Sequence, residues 1–160
     1  MPEPADPSRS PDSVSLRIAS PAARLYDIVS DVTQMGRLSP ECAGGRWLGG
    51  ATGPAVGARF KGTNKRGFAR WSTTTEVVAA EPGRVFAFET QQSGMRWTYR
   101  FEPDGDGTVV TEERTAFKAR PAIAKLFTGL VLGGLDRHED ELREGMRATL
   151  ERLRVIAEAG

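Results

Sequence analysis

Apolar and polar residues alternate from Ser13 to Ile18, near the start of the chain. A period of two is typical of a half-buried strand. Ser20-Pro21 ends this pattern, with Ser20 as the expected N-cap and Pro21 as the first helical residue. Helical spacing of the apolar residues then predicts two short helices, the first ending before Asp31 and the second within residues 33–38.

After residue 45 the pattern changes to short strands, separated by turns that contain Gly or Pro. Short links between successive strands favour antiparallel pairing. The predicted strands are Arg46–Leu48, Arg59–Asn64, Phe68–Ala80, Arg84–Gln91, Met95–Glu102 and Thr108–Phe117. The segment from Arg120 to Gly160 has helical spacing, so a long C-terminal helix completes the order.

The length of 160 residues suits one domain, predicted at 13–160 behind a disordered, proline-rich tail at 1–12. A net charge of +1 gives no reason to expect a nucleic-acid partner. With one cysteine and one histidine, the chain cannot form an internal disulfide or the usual four-ligand zinc site, and we expect no metal and no cofactor. Residues 1–12 lack the apolar run of a signal peptide, which predicts a cytoplasmic protein.

Several short segments occur in a characteristic order along residues 13–156. They are Ser20-Pro21-Ala22, Glu81-Pro82-Gly83-Arg84, Trp97 to Pro103, Gly107 to Glu112 and Leu150 to Leu153. In this order they resemble the START-like helix-grip superfamily, also called SRPBCC or Bet v 1-like, and within it the bacterial polyketide cyclase/dehydrase and lipid-transport group. The resemblance implies an α+β helix-grip fold, in which a curved antiparallel sheet of six to seven strands wraps around the C-terminal helix. It also implies a deep pocket between the two.

Period two also predicts which side chains face that pocket. Trp97, Tyr99 and Phe101 share one face of their strand, and exposing three rings while burying the charges between them would be costly. The same argument predicts that Phe86 and Phe88 point inward, as does Trp71, which shares a face with Thr73, Thr75 and Val77. These rings either fill the core or line a site for a flat or greasy ligand.

Glu112 and Arg114 are the charged residues predicted to face inward on the last strand. An even number of unpaired residues in the preceding turn places Tyr99 opposite Glu112 and Trp97 opposite Arg114. An odd number, or a bulge, would instead turn Thr111 and Glu113 inward. The group's Thr-Glu motif at this strand also favours an inward Glu112, which Arg114 would keep ionised.

The C-terminal helix has an apolar stripe that includes the single histidine, His138. The stripe comprises Leu135, Leu142, Met146, Leu150 and Leu153. A lone histidine on such a face is either a core residue or, with Glu112, a candidate acid–base group. Phe127 and Leu130 belong to the apolar front half of the helix, predicted as a buried end, a lid or a surface for transient membrane contact.

The sequence thus predicts that the protein binds a small hydrophobic molecule, such as a lipid, isoprenoid or polyketide. A polyketide cyclase or dehydratase acting in the same cavity is the first alternative. A protein-interaction module like the Hsp90 co-chaperones of this fold is the second, and a filled interior would favour it. The candidate ligand-binding residues are Trp71, Phe86, Phe88, Trp97, Tyr99, Phe101, Glu112, Arg114, Phe127, Leu130, Leu135, His138 and Leu142.

Overall fold

The computed structural model describes residues 13–39, 42–117 and 135–159; for residues 135–142 and Arg66 it describes the backbone alone. The elements are β1 (Ser13–Ile18), α1 (Ala22–Ser30), a 3-10 turn (Val32–Gln34), α2 (Met35–Leu38), β2 (Cys42–Trp47), β3 (Arg59–Arg66), β4 (Ala69–Glu81), β5 (Val85–Thr90), β6 (Met95–Asp104), β7 (Gly107–Ala116) and α3 (Leu135–Ala159).

The seven strands form one antiparallel sheet in the order β1-β7-β6-β5-β4-β3-β2. Consecutive strands from β2 to β7 are neighbours, and β1 pairs with β7. The strands β1 and β2 therefore form opposite edges of the sheet. The segment from α1 to α2 connects these edges, and α3 contacts β1, β7, α1 and α2. The predicted α+β helix-grip fold is confirmed, with seven strands and with two short helical segments between the first two.

A two-residue turn between β6 and β7 sets which residues share a face. Asp104 pairs with Gly107, so that Gly105 and Asp106 form the turn, and Gly105 adopts φ 63°, a conformation that favours glycine. The even number of unpaired residues confirms the predicted register. Trp97 lies opposite Arg114, Tyr99 opposite Glu112 and Phe101 opposite Val110.

The alternative register, in which Thr111 and Glu113 face inward, is excluded because both residues lie on the opposite side of the sheet from Tyr99. The Thr111 hydroxyl lies 2.8 Å from that of Ser15 on β1. Glu113 lies 3.8 Å from the guanidinium of Arg100, whose side chain is half exposed. We call the side that carries Tyr99 and Glu112 the inner face.

Aromatic packing joins α1 to the inner face of the sheet. The ring of Tyr26 contacts Phe86 and Phe101 edge to face, with centroids 6.2 and 6.0 Å apart. Such pairs contribute about 0.5–1.5 kcal/mol each beyond the area they bury. From α3, Leu150 and Leu153 are buried in the same core, as predicted from the helical stripe.

Two predicted boundaries are wrong. Ser20 is not the N-cap of α1, because the helix begins at Ala22 with Pro21 before it. Instead the carbonyl of Ser20 accepts a 2.8 Å hydrogen bond from Thr108 Oγ1, which ties this corner to β7. β2 begins at Cys42 rather than at Arg46.

The reason for the early start of β2 is a close approach. A Cβ on Gly45 would lie 2.6 Å from the carbonyl oxygen of Val32, so only glycine fits against the 3-10 turn. The Gly44-Gly45 pair is part of β2 and lets the connecting helical segment pack against the sheet edge.

The helix predicted at residues 120–160 is α3 over Leu135–Ala159, and residues 118–134 lie outside the described part of the chain. Within the described residues, no helix has the length and apolar character needed to cross a membrane.

Candidate functional site

A cavity of about 160 Å³ lies between the inner face of the sheet and the helices. Every strand from β2 to β7 contributes to its wall, and α1, α2 and α3 close it from the other side. The lining residues are Val29, Met35, Leu38, Ser39, Cys42, Phe60, Gly62, Asn64, Thr73, Thr75, Phe88, Thr90, Trp97, Tyr99, Glu112, Gly145, Met146 and Thr149.

Aromatic rings from three strands, β3, β5 and β6, form part of this wall. Phe60 on β3 contacts Phe88 on β5, with centroids 5.5 Å apart, and Phe88 lies 6.5 Å from Tyr99 on β6. Trp97, directly opposite Phe88, extends the set along β6. Rings at these positions give the cavity an apolar, flat-sided wall suited to hydrophobic molecules.

The polar end of the cavity is a hydrogen-bonded pair, Tyr99 and Glu112. The Tyr99 hydroxyl donates to Glu112 Oε1 at 2.9 Å. Both side chains are buried, with exposed fractions of 6% for Tyr99 and 2% for Glu112. Among the described residues, the second carboxyl oxygen, Oε2, has no hydrogen-bond partner.

Burial decides the charge of this pair. It raises the pKa of Glu112 from 4.5 to about 8, against the smaller opposite effect of the Tyr99 hydrogen bond. The pKa of Tyr99 is raised well above 10 by its own burial and then by the nearby carboxylate. Burial therefore favours the neutral carboxylic acid form of Glu112. Burial acts against the expected effect of Arg114, whose role in keeping Glu112 ionised stays a prediction.

Cys42 also borders the pair. Its thiol is half-buried, donates to the carbonyl of Gly44 at 3.4 Å and has a pKa raised by burial. A thiolate at Cys42 would raise the pKa of Tyr99 further, which places the two groups near each other. The thiol is neutral at pH 7, so the polar end of the cavity contains two weak acids and a phenol.

Several other polar side chains of the wall form hydrogen bonds with one another or with the backbone. The hydroxyls of Thr75 and Thr90 lie 3.0 Å apart across β4 and β5. Thr149 Oγ1 donates to the Gly145 carbonyl at 2.8 Å within α3, and Asn64 Nδ2 donates to Thr73 Oγ1 at 3.4 Å. These bonds leave Glu112 Oε2 as the buried carboxyl oxygen that still lacks a partner among the described residues.

The structure brings only some of the predicted residues to the cavity wall. Phe88, Trp97, Tyr99 and Glu112 line it. Phe86 and Phe101 lie on the same face but pack against Tyr26 in the core, so they fill space rather than border it.

Trp71 and Arg114 lie on the inner face of the sheet but do not line the cavity. Trp71 lies half-buried opposite Asn64, two pairs closer to the β3–β4 turn than Thr73. Arg114 is 2% exposed, and its register position is opposite Trp97. Their inward direction was predictable from parity, whereas the extent of the cavity along each strand was not.

Five candidates on the C-terminal segment are not described at side-chain level. Phe127 and Leu130 lie outside the described residues. Leu135, His138 and Leu142 belong to α3 by their backbone, but their side chains are outside what the structure describes. Their predicted roles therefore stay predictions.

Sequence reasoning missed several wall residues, Cys42 and Phe60 most clearly. Phe60 alternates with Arg59 and Lys61, so period two could have identified it as inward. Cys42 gave no such signal, because its strand was predicted to begin four residues later. Of the described residues, no three or more His, Cys, Asp or Glu are grouped so that they could hold a metal ion.

Comparison with known proteins places the chain in a family. The family described as polyketide cyclase/dehydrase and lipid transport matches residues 13–158. The chain belongs to this family. None of the curated proteins compared with it matches.

Solved structures of the family type share the fold. A polyketide cyclase-like protein of Corynebacterium glutamicum is 30% identical, with a TM-score of 0.58 over 90% of this chain and 89% of that one. The KanY protein is 17% identical, with a TM-score of 0.68 over 92% of this chain and 96% of that one. The di-domain ARO/CYC StfQ of the steffimycin biosynthetic pathway is 16% identical, with a TM-score of 0.69 over 92% of this chain and 50% of that one.

Proposed function

We propose that the protein binds a small hydrophobic molecule, such as a lipid, an isoprenoid or a polyketide-like compound, in the cavity between the sheet and α3. The observation that supports this most strongly is the cavity itself, lined by aromatic rings and closed at one end by the buried Tyr99–Glu112 pair. The family description, which includes lipid transport, agrees with it.

The volume limits the ligand. An engineered cavity of about 150 Å³ accepts a molecule of one aromatic ring, and the cavity here is of similar size at about 160 Å³. We therefore expect the described part of the cavity to hold one or two rings, or an equivalent length of chain. An unfilled interior gives no support to a domain that acts only through its outer surface.

A cyclase or dehydratase is the second candidate, favoured by a specific observation. Burial favours the neutral acid form of Glu112, and an acid beside a bound carbonyl compound can assist enolisation or loss of water. The structural neighbour StfQ is described as an ARO/CYC protein of a biosynthetic pathway, which agrees with this candidate. The reaction would then take place in the same cavity that binds the ligand.

Native mass spectrometry of the purified protein, with analysis of its organic extract, tests binding. Gly62 lines the cavity, and a Cβ there meets only Thr73 Oγ1, at 3.4 Å, so Gly62→Leu should fill the cavity with little strain. Thr63→Leu is the matched control, because it places the same side chain on the exposed outer face.

The proposal predicts a stoichiometric apolar passenger in the wild type and in Thr63→Leu, and none in Gly62→Leu. Equal occupancy in all three proteins would contradict it, since the passenger would then lie elsewhere. For the second candidate, Glu112→Gln should abolish conversion of the extracted ligand while leaving its affinity within about tenfold.

A further inference from the structure

We propose that Glu112 is a neutral hydrogen-bond donor to the ligand, and that the ligand is an uncharged molecule with a carbonyl-type oxygen that accepts from Oε2. The inference rests on the proposed function, because it assumes that the cavity is the binding site. It adds the chemical class of the ligand and the role of one residue.

The 2.9 Å hydrogen bond from Tyr99 engages Oε1 of Glu112 and leaves Oε2 available for the acidic proton. In the proposed arrangement the Tyr99 hydroxyl donates to Oε1, which acts as the carbonyl oxygen of a carboxylic acid, and the acidic proton lies on Oε2. An O–H at Oε2 is a strong donor, and among the described residues it has no acceptor.

Because this O–H group is buried, leaving it without an acceptor costs free energy. Glu112 is 2% exposed and belongs to the cavity wall, so the missing acceptor can be supplied by a molecule in the cavity. A buried polar group without a partner costs stability, and a ligand that satisfies it recovers that cost. Thr75, Thr90, Asn64 and Thr149 already form hydrogen bonds, whereas Oε2 is buried without a partner among the described residues and can orient the ligand.

The titratable and charged described groups that face Glu112 are few. Tyr99 on β6 and Cys42 on β2 are weak acids that burial keeps neutral, and Arg114 lies two residues along β7 on the same face. β1 places Val14 opposite Glu112, and the described wall residues of α1, α2 and α3 do not titrate. The pKa of Glu112, raised to about 8, agrees with a neutral acid in these surroundings.

A cationic ligand is the main alternative. An amine would keep Glu112 ionised and form an ion pair with it, but both charges would have to be buried against Phe88, Trp97 and Tyr99. A carbonyl compound needs no buried charge. The aromatic wall therefore favours the uncharged ligand.

Three single-ring probes of similar size distinguish an uncharged carbonyl ligand from a cationic one. Acetophenone has the carbonyl oxygen, α-methylstyrene replaces that oxygen with a methylene group, and α-methylbenzylamine replaces it with an ammonium group. Each contains a single ring, which suits a cavity of about 160 Å³. Their dissociation constants are measured by calorimetry for the full chain at pH 6.5 and pH 9.5.

For the wild type we expect acetophenone to bind about tenfold more tightly than α-methylstyrene at pH 6.5. The preference should disappear at pH 9.5, because ionised Glu112 no longer donates. The infrared carbonyl stretch of bound acetophenone should be lowered at pH 6.5 and not at pH 9.5. These comparisons need no variant, so they do not depend on a variant's folding.

Substitutions at position 112 test whether Glu112 causes the preference for acetophenone. Glu112→Gln retains an N–H donor without titrating, so the preference for acetophenone should persist at both pH values. Glu112→Leu has no donor and should bind acetophenone and α-methylstyrene equally. Glu113→Gln is the matched control on the opposite face and should behave as the wild type.

Equal affinity for acetophenone and α-methylstyrene in the wild type at pH 6.5 would overturn the inference while leaving the proposed function standing. Tightest binding of α-methylbenzylamine would overturn it in favour of a cationic ligand. Binding of none of the three probes would contradict the proposed function itself, and the inference with it.

Discussion

At the scale of single residues, the burial of Glu112 makes the stability of the protein depend on pH. A carboxyl group that titrates near 4.5 in the unfolded chain and near 8 in the folded protein binds an extra proton in the folded state between these pH values. Folding is then favoured by low pH, and its stability falls as the pH rises through that window. The sign is opposite to that of a carboxylate in a salt bridge.

Glu112→Gln should remove this pH dependence. We expect the free energy of unfolding of the wild type to fall by about 3 kcal/mol between pH 5.5 and pH 8.5 because of Glu112, and the variant to lack this fall. At pH 5.5 the two should be similar, since the amide oxygen can accept from Tyr99. Urea denaturation at both pH values measures this, with Glu113→Gln as control. An identical pH dependence in the wild type and Glu112→Gln would show that Glu112 is not buried as described.

Tyr99→Phe tests the partner of that acid. Its hydroxyl favours the charged form of Glu112, so removing it should raise the pKa of Glu112 above about 8 and destabilise the protein by about 1 kcal/mol. Carbon-13 NMR of the glutamate carboxyl groups follows the titration. Tyr26→Phe, which changes a buried tyrosine of the core, should leave that pKa unchanged. A lowered pKa in Tyr99→Phe would contradict the assignment.

At the scale of elements, the contact between β2 and the 3-10 turn holds one side of the cavity in place. Gly45 approaches Val32 so closely that any side chain would collide with a backbone carbonyl. Immediately after the turn, α2 supplies Met35 and Leu38 to the cavity wall. A shift at Gly45 would therefore move part of the site.

Gly45→Ala should accordingly destabilise the protein by about 2–3 kcal/mol, as steric overlap in a packed region does. Gly44→Ala is the matched control, because a Cβ at Gly44 meets nothing within 4 Å and should change stability by less than about 1 kcal/mol. Thermal unfolding of both variants gives the comparison. Similar stability of the two would contradict the described packing of β2.

Elements also show how far the sequence could predict the structure. The inward direction of Glu112 followed from period two and an even number of unpaired residues in the turn, which the sequence favoured without fixing. The start of β2 did not, because a Gly-Gly pair is compatible with both a break and a close approach, and only the position of Val32 distinguishes them. The charge state of Glu112 depends on how deeply the finished fold buries it, which no neighbouring residue indicates.

At the scale of the whole molecule, the sheet and helices leave an unfilled space inside a packed domain. Unfilled space costs stability, so filling it should have the opposite effect. We expect Gly62→Leu to raise the free energy of unfolding by about 1 kcal/mol, and the outward Thr63→Leu to change it less. Urea denaturation measures both. Destabilisation by Gly62→Leu alone would indicate that the space is smaller than described.

The most direct test of the binding cavity is methyl NMR of methionine-labelled protein titrated with α-methylstyrene, a probe that does not depend on Glu112. Met35 and Met146 line the cavity from opposite helices. The account predicts saturable shifts of both methyl signals in the wild type and in Thr63→Leu, and none in Gly62→Leu. Signals that stay unchanged in the wild type, or that shift equally in Gly62→Leu, would contradict a hydrophobic ligand site between the sheet and α3.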